Sequence, residues 1–188
     1  LFTRSNHDIK QAYKNGCEQL AVCKRLAKKG YTMPEAFRIW EGNKNDKEAS
    51  NDLNIGVLGH GYALYDENIS MNIINRLRVL GCNVHLPESL ERKEIEKKAA
   101  TMPKRVFWTL GRKMVGSALH MKEREDIDGI VYFACFGCGP DSLIGEIIER
   151  KVRNKPFMLI TVDEHTAEGG LVTRLEAFCD MLRRRRQC

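Results

Sequence analysis

Short apolar runs, each followed by a loop and a segment of helical periodicity, recur along this chain and constrain its fold more than any other feature. Repeated units of this kind predict alternating strands and helices around a parallel sheet. The predicted strands span residues 54–58, 83–86, 129–134 and 156–162. The predicted helices lie near residues 70–80, 107–121, 141–152 and 171–183. The sequence therefore predicts an α/β fold with a parallel sheet of about four strands flanked by helices.

An N-terminal helical segment precedes the first predicted strand. Apolar residues recur at helical spacing through residues 7–29, which predicts one amphipathic helix. A second helix is predicted to begin after Thr32, whose hydroxyl suits an N-cap, and the polar run 42–52 is expected to be a linker. The chain is therefore divided into residues 1–52, a helical segment, and residues 53–188, the α/β domain.

Composition excludes a membrane span and an intact secretory start. Of the 188 residues, 43% are hydrophobic and 30% are charged, which supplies enough apolar side chains for a core. The uncharged apolar stretches reach only about ten residues, half of what a helix needs to cross a bilayer. Residues 1–30 lack a continuous apolar region, and the chain begins with Leu. The odd number of cysteines, seven, indicates reduced thiols, and we expect a fragment of a longer cytoplasmic chain.

The positive charge is concentrated at one end of the chain. Lys and Arg outnumber Asp and Glu by 31 to 25, and residues 183–186 are all Arg. A basic run of this kind can bind nucleic acid or anionic lipid. The interpretation we favour is a solvated helix end whose cations oppose the helix dipole. Because no aromatic residues interleave the run, a nucleic-acid partner is not expected, and no membrane partner is expected either.

Polar loops follow the four predicted strands, at residues 60–62, 87–88, 135–141 and 163–165. Ligands of open parallel sheets bind beyond the carboxyl ends of the strands, near the point where the strand order reverses. With an assumed strand order of 2-1-3-4, this point lies between the first and third strands. The loops that follow those two strands are then expected to face each other.

The loop after the third strand carries the most informative motif, Cys-Phe-Gly-Cys-Gly-Pro-Asp-Ser at residues 135–142. Gly137 and Gly139 allow a ligand to approach the backbone closely, and the following helix directs its free N–H groups at the loop. Cys138 therefore lies where a thiolate is favoured, as in reactive or metal-bound cysteines. A buried structural cysteine in a tight turn is the alternative. Cys135 and Cys138 also form a CxxC pair, which suits half a zinc site or a dithiol redox centre.

The loop after the fourth strand combines acidic, imidazole and hydroxyl groups over residues 163–170. His165 is suited to acid–base work, and Asp163 or Glu164 could orient its ring. These three side chains are the candidate catalytic residues. Equally, Asp163 could cap a turn, with the neighbouring residues starting the next helix.

Three glycines occur around the end of the first strand, within residues 56–66. Their spacing matches neither the dinucleotide-binding nor the Walker pattern, so they indicate nucleotide binding only weakly. Tyr62 and Tyr65 offer aromatic faces and hydroxyls that could line a cavity. Trp108, early in a predicted helix, is expected in the core.

Four of these stretches together resemble the C-terminal region of proteins related to CoA-substrate-specific enzyme activases, within the 2-hydroxyacyl-CoA dehydratase superfamily. The resemblance rests on FGCGPDS at residues 136–142, DEHTAEGGLVTRLEAF at 163–178, GHGYALYD at 59–66 and FWTLGRKM at 107–114. It spans residues 54–182, and the N-terminal helices look like a connection from an upstream domain.

The resemblance implies a Rossmann-like or flavodoxin-like domain and a [4Fe-4S] cluster bound by cysteine thiolates between two domains. Cys138 is the ligand implied for this domain, the other cysteines are implied in the upstream domain, and no ligand role is carried to Cys135. Such clusters pass single electrons at low potential to CoA thioesters, after an ATP-dependent activator delivers the electron. The implied partners are the upstream domain, the activator and an acyl-CoA substrate. The candidate cofactor-binding residues are Gly137, Gly139, Asp141, Ser142, Tyr62 and Tyr65.

The leading hypothesis is therefore an iron–sulfur domain that is inactive on its own, part of an acyl-CoA dehydratase-like or activase-related protein. The alternative is a non-catalytic module that binds a nucleotide or the phosphates of an acyl-CoA. It would do so through the loop at residues 56–61 and the helix start at Pro140.

Overall fold

The computed structural model describes residues 5–43 and 52–187. The helices are α1 (Asn6–Lys28), α2 (Met33–Trp40), α3 (Gly61–Leu64), α4 (Ile73–Val79), α5 (Arg92–Ala99), α6 (Thr109–Glu123), α7 (Gly139–Lys151) and α8 (Glu168–Gln187). The strands are β1 (Leu53–Gly59), β2 (Cys82–His85), β3 (Gly129–Cys135) and β4 (Phe157–Val162), and a 3-10 turn spans Pro87–Ser89. Most of the predicted linker at residues 42–52 lies outside the described residues.

The four strands form one parallel sheet in the order β2-β1-β3-β4. Ile55 pairs with Gly129 and Gly59 pairs with Phe133, so the first and third strands lie side by side in the centre. The predicted α/β fold and the assumed strand order are both confirmed. Strand order reverses between β1 and β3, which places the loops after these strands at one edge.

Strand β3 is buried on both faces, which explains why its sequence is an unbroken apolar run. Ile130 and Tyr132 pack in a layer with residues of α6 and α7, including Met114. Val131 and Phe133 point to the opposite face, where α4 and α8 pack. The side chains of these four β3 residues are fully buried. The sheet is therefore the middle layer of a three-layer α/β/α arrangement, with apolar side chains alternating between two cores.

Helix α2 begins with the capping box that its sequence favours. The Thr32 hydroxyl accepts a hydrogen bond from the Glu35 backbone N–H at 3.3 Å, and Glu35 Oε2 accepts one from the Thr32 N–H at 2.7 Å. Glu35 also forms an ion pair with Arg78 on α4 at 2.5 Å. The N-terminal helical segment is thus in contact with the α/β layers, and the division at residues 52 and 53 stays a prediction.

The structure differs from the sequence predictions at several elements. Helix α5 was not predicted because it is short and highly charged, with only Ile95 and Ala99 buried. Helix α4 starts later than predicted, since Met71 and Asn72 have positive φ angles of 49° and 57°. The prediction of Trp108 in the core is wrong: this residue precedes α6 and is 42% exposed.

The arginine run at residues 183–186 lies in the last turns of α8. Arg183 pairs with Asp52 at 2.9 Å, and Arg186 pairs with Asp128 at 2.6 Å. Two of the four arginines therefore attach the C-terminal end of α8 to the residues that precede β1 and β3. Across residues 5–43 and 52–187, no helix is long and apolar enough to span a membrane.

Candidate functional site

The candidate site lies at the carboxyl ends of β1 and β3, where the strand order reverses. His60 directly follows β1, and Cys135 is the last residue of β3. The chain then turns within three residues into α7, whose N-cap is Cys138 and whose first turn contains Asp141. The parallel pairing of β1 with β3 brings these two loops together, as the sequence analysis predicts.

The turn between β3 and α7 depends on Gly137. This residue has a φ of +78°, a conformation that favours glycine, and the Cys138 N–H donates to the Cys135 carbonyl at 3.2 Å. Ser142 closes the first turn of α7, since its backbone N–H and its hydroxyl both donate to the Cys138 carbonyl, at 3.0 and 3.1 Å. The Cys138 side chain is held at the N-terminal end of a 13-residue helix.

A buried hydrogen-bond network lies beneath Cys138. Asp141 is only 3% exposed, and its Oδ1 accepts a hydrogen bond from the Tyr132 hydroxyl at 3.1 Å. His60 Nε2 lies 2.7 Å from the same Oδ1. Burial, followed by the nearby Asp141 carboxylate, raises the pKa of Tyr132 well above its usual range. Tyr132 therefore remains a protonated hydrogen-bond donor, and the carboxylate is fixed between two elements of the sheet edge.

Three side chains at this edge carry metal-binding atoms that converge. The ligand atoms of His60, Cys138 and Asp141 all lie within 4.8 Å of one another. Within the described part of the chain, His60 Nδ1 is buried and has no hydrogen-bond partner. Sulfur, imidazole nitrogen and carboxylate oxygen are the donor types that bind zinc-like divalent ions. His60 was not among the predicted site residues, although its position at a strand end was a usable signal.

Aromatic residues form the exposed rim of the site. The Tyr62 ring stacks on the His60 ring, with centroids 5.4 Å apart and planes 15° from parallel. Tyr62 is 61% exposed and Phe136 is 73% exposed. Partial burial, followed by the nearby Cys135 thiol, raises the Tyr62 pKa. Burial and the Asp141 charge raise the pKa of the Cys135 thiol, which favours the protonated thiol at Cys135.

The Tyr65 side chain contacts the loop after β2. Its hydroxyl donates to Glu88 Oε2 at 3.0 Å, in the loop after β2, and Glu88 also pairs with Lys113 at 2.5 Å. Burial and the Glu88 charge raise the pKa of Tyr65. Tyr65 therefore packs beside the site rather than on its rim.

The predicted catalytic residues lie on the exposed loop between β4 and α8. The Asp163 carboxylate accepts hydrogen bonds from the His165 N–H at 3.0 Å and the Thr166 hydroxyl at 2.7 Å, so it closes its own turn. The hydrogen bond from Thr166 holds the pKa of Asp163 below its usual range. His165 and Glu164 are 3.8 Å apart, and their side chains are 86% and 81% exposed. Among the described residues, no hydrogen bond or ion pair links this loop to Cys138, and a catalytic role stays a prediction.

The described residues of this edge do not provide the four thiolates that a [4Fe-4S] cluster needs, so at most one or two of its ligands could come from this edge. Such clusters take four cysteine thiolates, and this edge provides only Cys138 and the adjacent Cys135. Three further cysteines are fully buried elsewhere in the fold: Cys23, Cys82 and Cys179. Cys138 is partly exposed, and an added Cβ at Gly137 or Gly139 would meet no atom within 4 Å. The backbone on both sides of Cys138 is therefore uncrowded, which leaves room for further ligands to approach this loop.

Comparison with known protein families gives a match at the N-terminal side of the chain. Residues 1–90 match a family described as the CoA enzyme activase uncharacterised domain. The predicted resemblance to activase-related proteins is thereby confirmed, and the match takes in α1 and α2 together with β1 and β2. No curated protein matches this chain.

Proposed function

We propose that this chain, whose residues 1–90 match a family described as the CoA enzyme activase uncharacterised domain, is an activase-related α/β domain that supplies Cys138 as a ligand to a [4Fe-4S] cluster. When bound, the cluster supplies low-potential single-electron transfer for reactions of CoA thioesters. The observation that carries the proposal is the partly exposed Cys138 thiol at the N-terminus of α7, in a loop open to further ligands.

The position of Cys138 at a helix N-terminus supports a role as a metal ligand. Cys138 is the N-cap residue, and the helix dipole and the free N–H groups of the first turn of α7 favour a negative charge at this position. Pro140 stands in that first turn and fixes its backbone. Cys135 lies at the end of β3 rather than at the start of the helix, and burial followed by the Asp141 charge raises the pKa of its thiol. The proposal therefore assigns the ligand role to Cys138 alone.

The remaining ligands and the partners are those that the resemblance to activase-related proteins implies. Since the described residues of this edge provide only two thiols, cysteines of an upstream domain would complete the site, with an ATP-dependent activator as electron donor and an acyl-CoA as substrate. The exposed loop of Asp163, Glu164 and His165 follows β4 at the same end of the sheet. It would then line the cavity between this domain and its neighbour, as the candidate catalytic loop.

A second candidate function is a phosphate-binding module without a cluster. The open backbone at Gly137 and Gly139, followed by the 13-residue α7, is an arrangement that also suits the phosphates of a nucleotide or of CoA. Titration calorimetry of the metal-free chain with CoA and adenine nucleotides tests this function. Tight binding without iron would favour the module.

Anaerobic reconstitution with iron and sulfide tests the leading proposal. The full-length protein, including its upstream domain, is compared with its Cys138→Ala and Cys135→Ala variants by metal analysis and electron paramagnetic resonance. We expect the Cys138→Ala variant to lose most of the cluster and the Cys135→Ala variant to retain it. Iron and sulfide at the wild-type level in Cys138→Ala would reject the assignment.

A further inference from the structure

We propose that His60, Cys138 and Asp141 form a site for a single divalent transition ion of the zinc type, held entirely by this chain. The inference goes beyond the proposed function and does not depend on it. A cluster needs four thiolates, more than the described residues of this sheet edge contain. The three donors of the ion site are all present: His60 follows β1, Cys138 is the N-cap of α7, and Asp141 lies in the first turn of α7.

The distances favour one ion. With Zn–S and Zn–N bonds of about 2.3 and 2.0 Å, tetrahedral donors lie about 3.3–3.8 Å apart. The three ligand atoms here are within 4.8 Å of one another, so small side-chain rotations bring them onto a common ion. Thiolates on separate irons of a cluster lie farther apart than donors that share one ion, and the trio therefore does not match three corners of a cluster.

Burial distinguishes two of the three donors, His60 and Asp141, from ordinary surface groups. The Asp141 side chain is 4% exposed and that of His60 is 11% exposed. Both are positioned by packing, since Tyr132 donates to Asp141 and Tyr62 stacks on His60. Donors that are already desolvated and oriented lose little conformational freedom when an ion binds.

The donor set suits an ion that is borderline-soft, divalent and four-coordinate. One thiolate, one imidazole and one carboxylate leave a fourth position open, as in catalytic zinc sites. His60 Nδ1, buried and without a hydrogen-bond partner among the described residues, is a second donor atom on the same ring. Binding of the ion displaces the Cys138 thiol proton, so no oxidant or reductant takes part.

Titration with Co²⁺ under reducing, chelator-free conditions tests this site. The full 188-residue chain with Cys17 and Cys188 replaced by Ser serves as the host, which removes the exposed thiol of α1 and the thiol of the last residue in the sequence. We expect a thiolate-to-Co²⁺ charge-transfer band with the visible bands of tetrahedral Co²⁺, at one ion per chain. Cys138→Ser should abolish the charge-transfer band, while Cys135→Ser and His165→Ala serve as matched controls that retain it.

The decisive variants are His60→Ala and Asp141→Asn. We expect each to raise the Co²⁺ Kd by more than about 10-fold, since even outer partners of metal ligands contribute this much. If both variants bind Co²⁺ as tightly as the host, or if the host shows no thiolate band, the three-donor site is overturned. The Co²⁺ titration uses neither sulfide nor an upstream domain. Its outcome is therefore independent of whether the reconstitution experiment yields a cluster.

A measurement on the unaltered chain tests the site without any variant that could fail to fold. Zn²⁺ should protect Cys138 from iodoacetamide, as read by mass spectrometry, while Cys17 on α1 stays fully modified. Equal modification of Cys138 with and without Zn²⁺ would also overturn the proposal. Since cluster and ion use the same sulfur, Zn²⁺ should in addition slow reconstitution of the full-length protein.

Discussion

His60 Nε2 lies 2.7 Å from Asp141 Oδ1, and this contact joins the loop after β1 to the first turn of α7. The same carboxylate oxygen accepts the hydrogen bond of Tyr132 from β3. One buried acceptor thus holds three elements of the sheet edge in place. This arrangement fixes the backbone around Cys138, and it should be visible in stability as well as in binding.

Replacing Asp141 by Ala should lower the free energy of unfolding by about 2–4 kcal/mol, because two buried donors, on Tyr132 and His60, lose their acceptor. Urea unfolding followed by circular dichroism measures the change. Glu164→Ala is the control: its side chain is 81% exposed, and we expect a change within about 0.5 kcal/mol. Equal stabilities for the two variants would show that the network is not structurally important.

The packing of α6 against α5 should depend on Gly116. A Cβ at this position would overlap the carbonyl oxygen and the side chain of Ile95. The carbonyl belongs to the backbone of α5 and cannot easily move. We expect Gly116→Ala to destabilise the chain by about 3 kcal/mol or more. Gly169→Ala in α8 is the matched control, since no atom lies within 4 Å of its added Cβ. The control should be neutral or more stable by up to about 1 kcal/mol; a loss of similar size in both would contradict this view of the helix contact.

Attachment of α2 to the α/β layers should be pH-dependent through Glu35. Burial alone would raise the pKa of this carboxyl, but hydrogen bonds from Arg78 and the Thr32 backbone outweigh it and lower the pKa below its ordinary 4.5. The stabilisation from Glu35 is therefore fully present above pH 4.5 and is lost as the pH falls through the lower folded-state pKa.

The Glu35→Gln variant measures this contribution. At a pH of about 6 we expect wild type to be more stable than the variant by about 1–3 kcal/mol, as for hydrogen bonds to charged groups. At a pH of about 3, below the ordinary value of 4.5, the difference should be smaller than at a pH of about 6. A stability difference that stays constant between the two pH values would exclude the carboxylate as the cause.

The cysteines should separate into two classes on alkylation of the folded chain. Cys17 on α1 is exposed, whereas Cys23, Cys82 and Cys179 have no exposed surface. A hydrogen bond with Cys179, whose Sγ lies 3.5 Å away, and burial together raise the pKa of the Cys82 thiol. Iodoacetamide and mass spectrometry should therefore show rapid labelling of Cys17 and labelling of the buried three only on unfolding. Rapid labelling of Cys82 in folded protein would contradict the packing of β2 against α8.

Much of the fold could be predicted because local sequence carried the same information as the tertiary structure. The β3 run is apolar throughout since both of its faces are covered, and Thr32 with Glu35 forms the capping box that starts α2. Helix α5 was not predictable in this way, because only Ile95 and Ala99 of its residues enter the core and its charged composition resembles a loop.

The candidate site was predictable only in part. The position of Cys138 at the start of α7 follows from its neighbours in sequence, chiefly Gly137 and Pro140. The role of His60 was not predicted, because a single histidine after a strand has no partner in the local sequence. Its partner, Asp141, belongs to the loop after another strand.

The sequence by itself determined the four strands, the helices with an apolar period and the thiol at the N-terminus of α7, since apolar periodicity, caps and turn residues act over a few neighbouring positions. Only the tertiary structure decided that His60, Cys138 and Asp141 converge. Their convergence depends on β1 pairing directly with β3 in parallel register. Strand pairing is a contact between distant segments, and its free energy comes from packing both faces of the sheet rather than from any one segment.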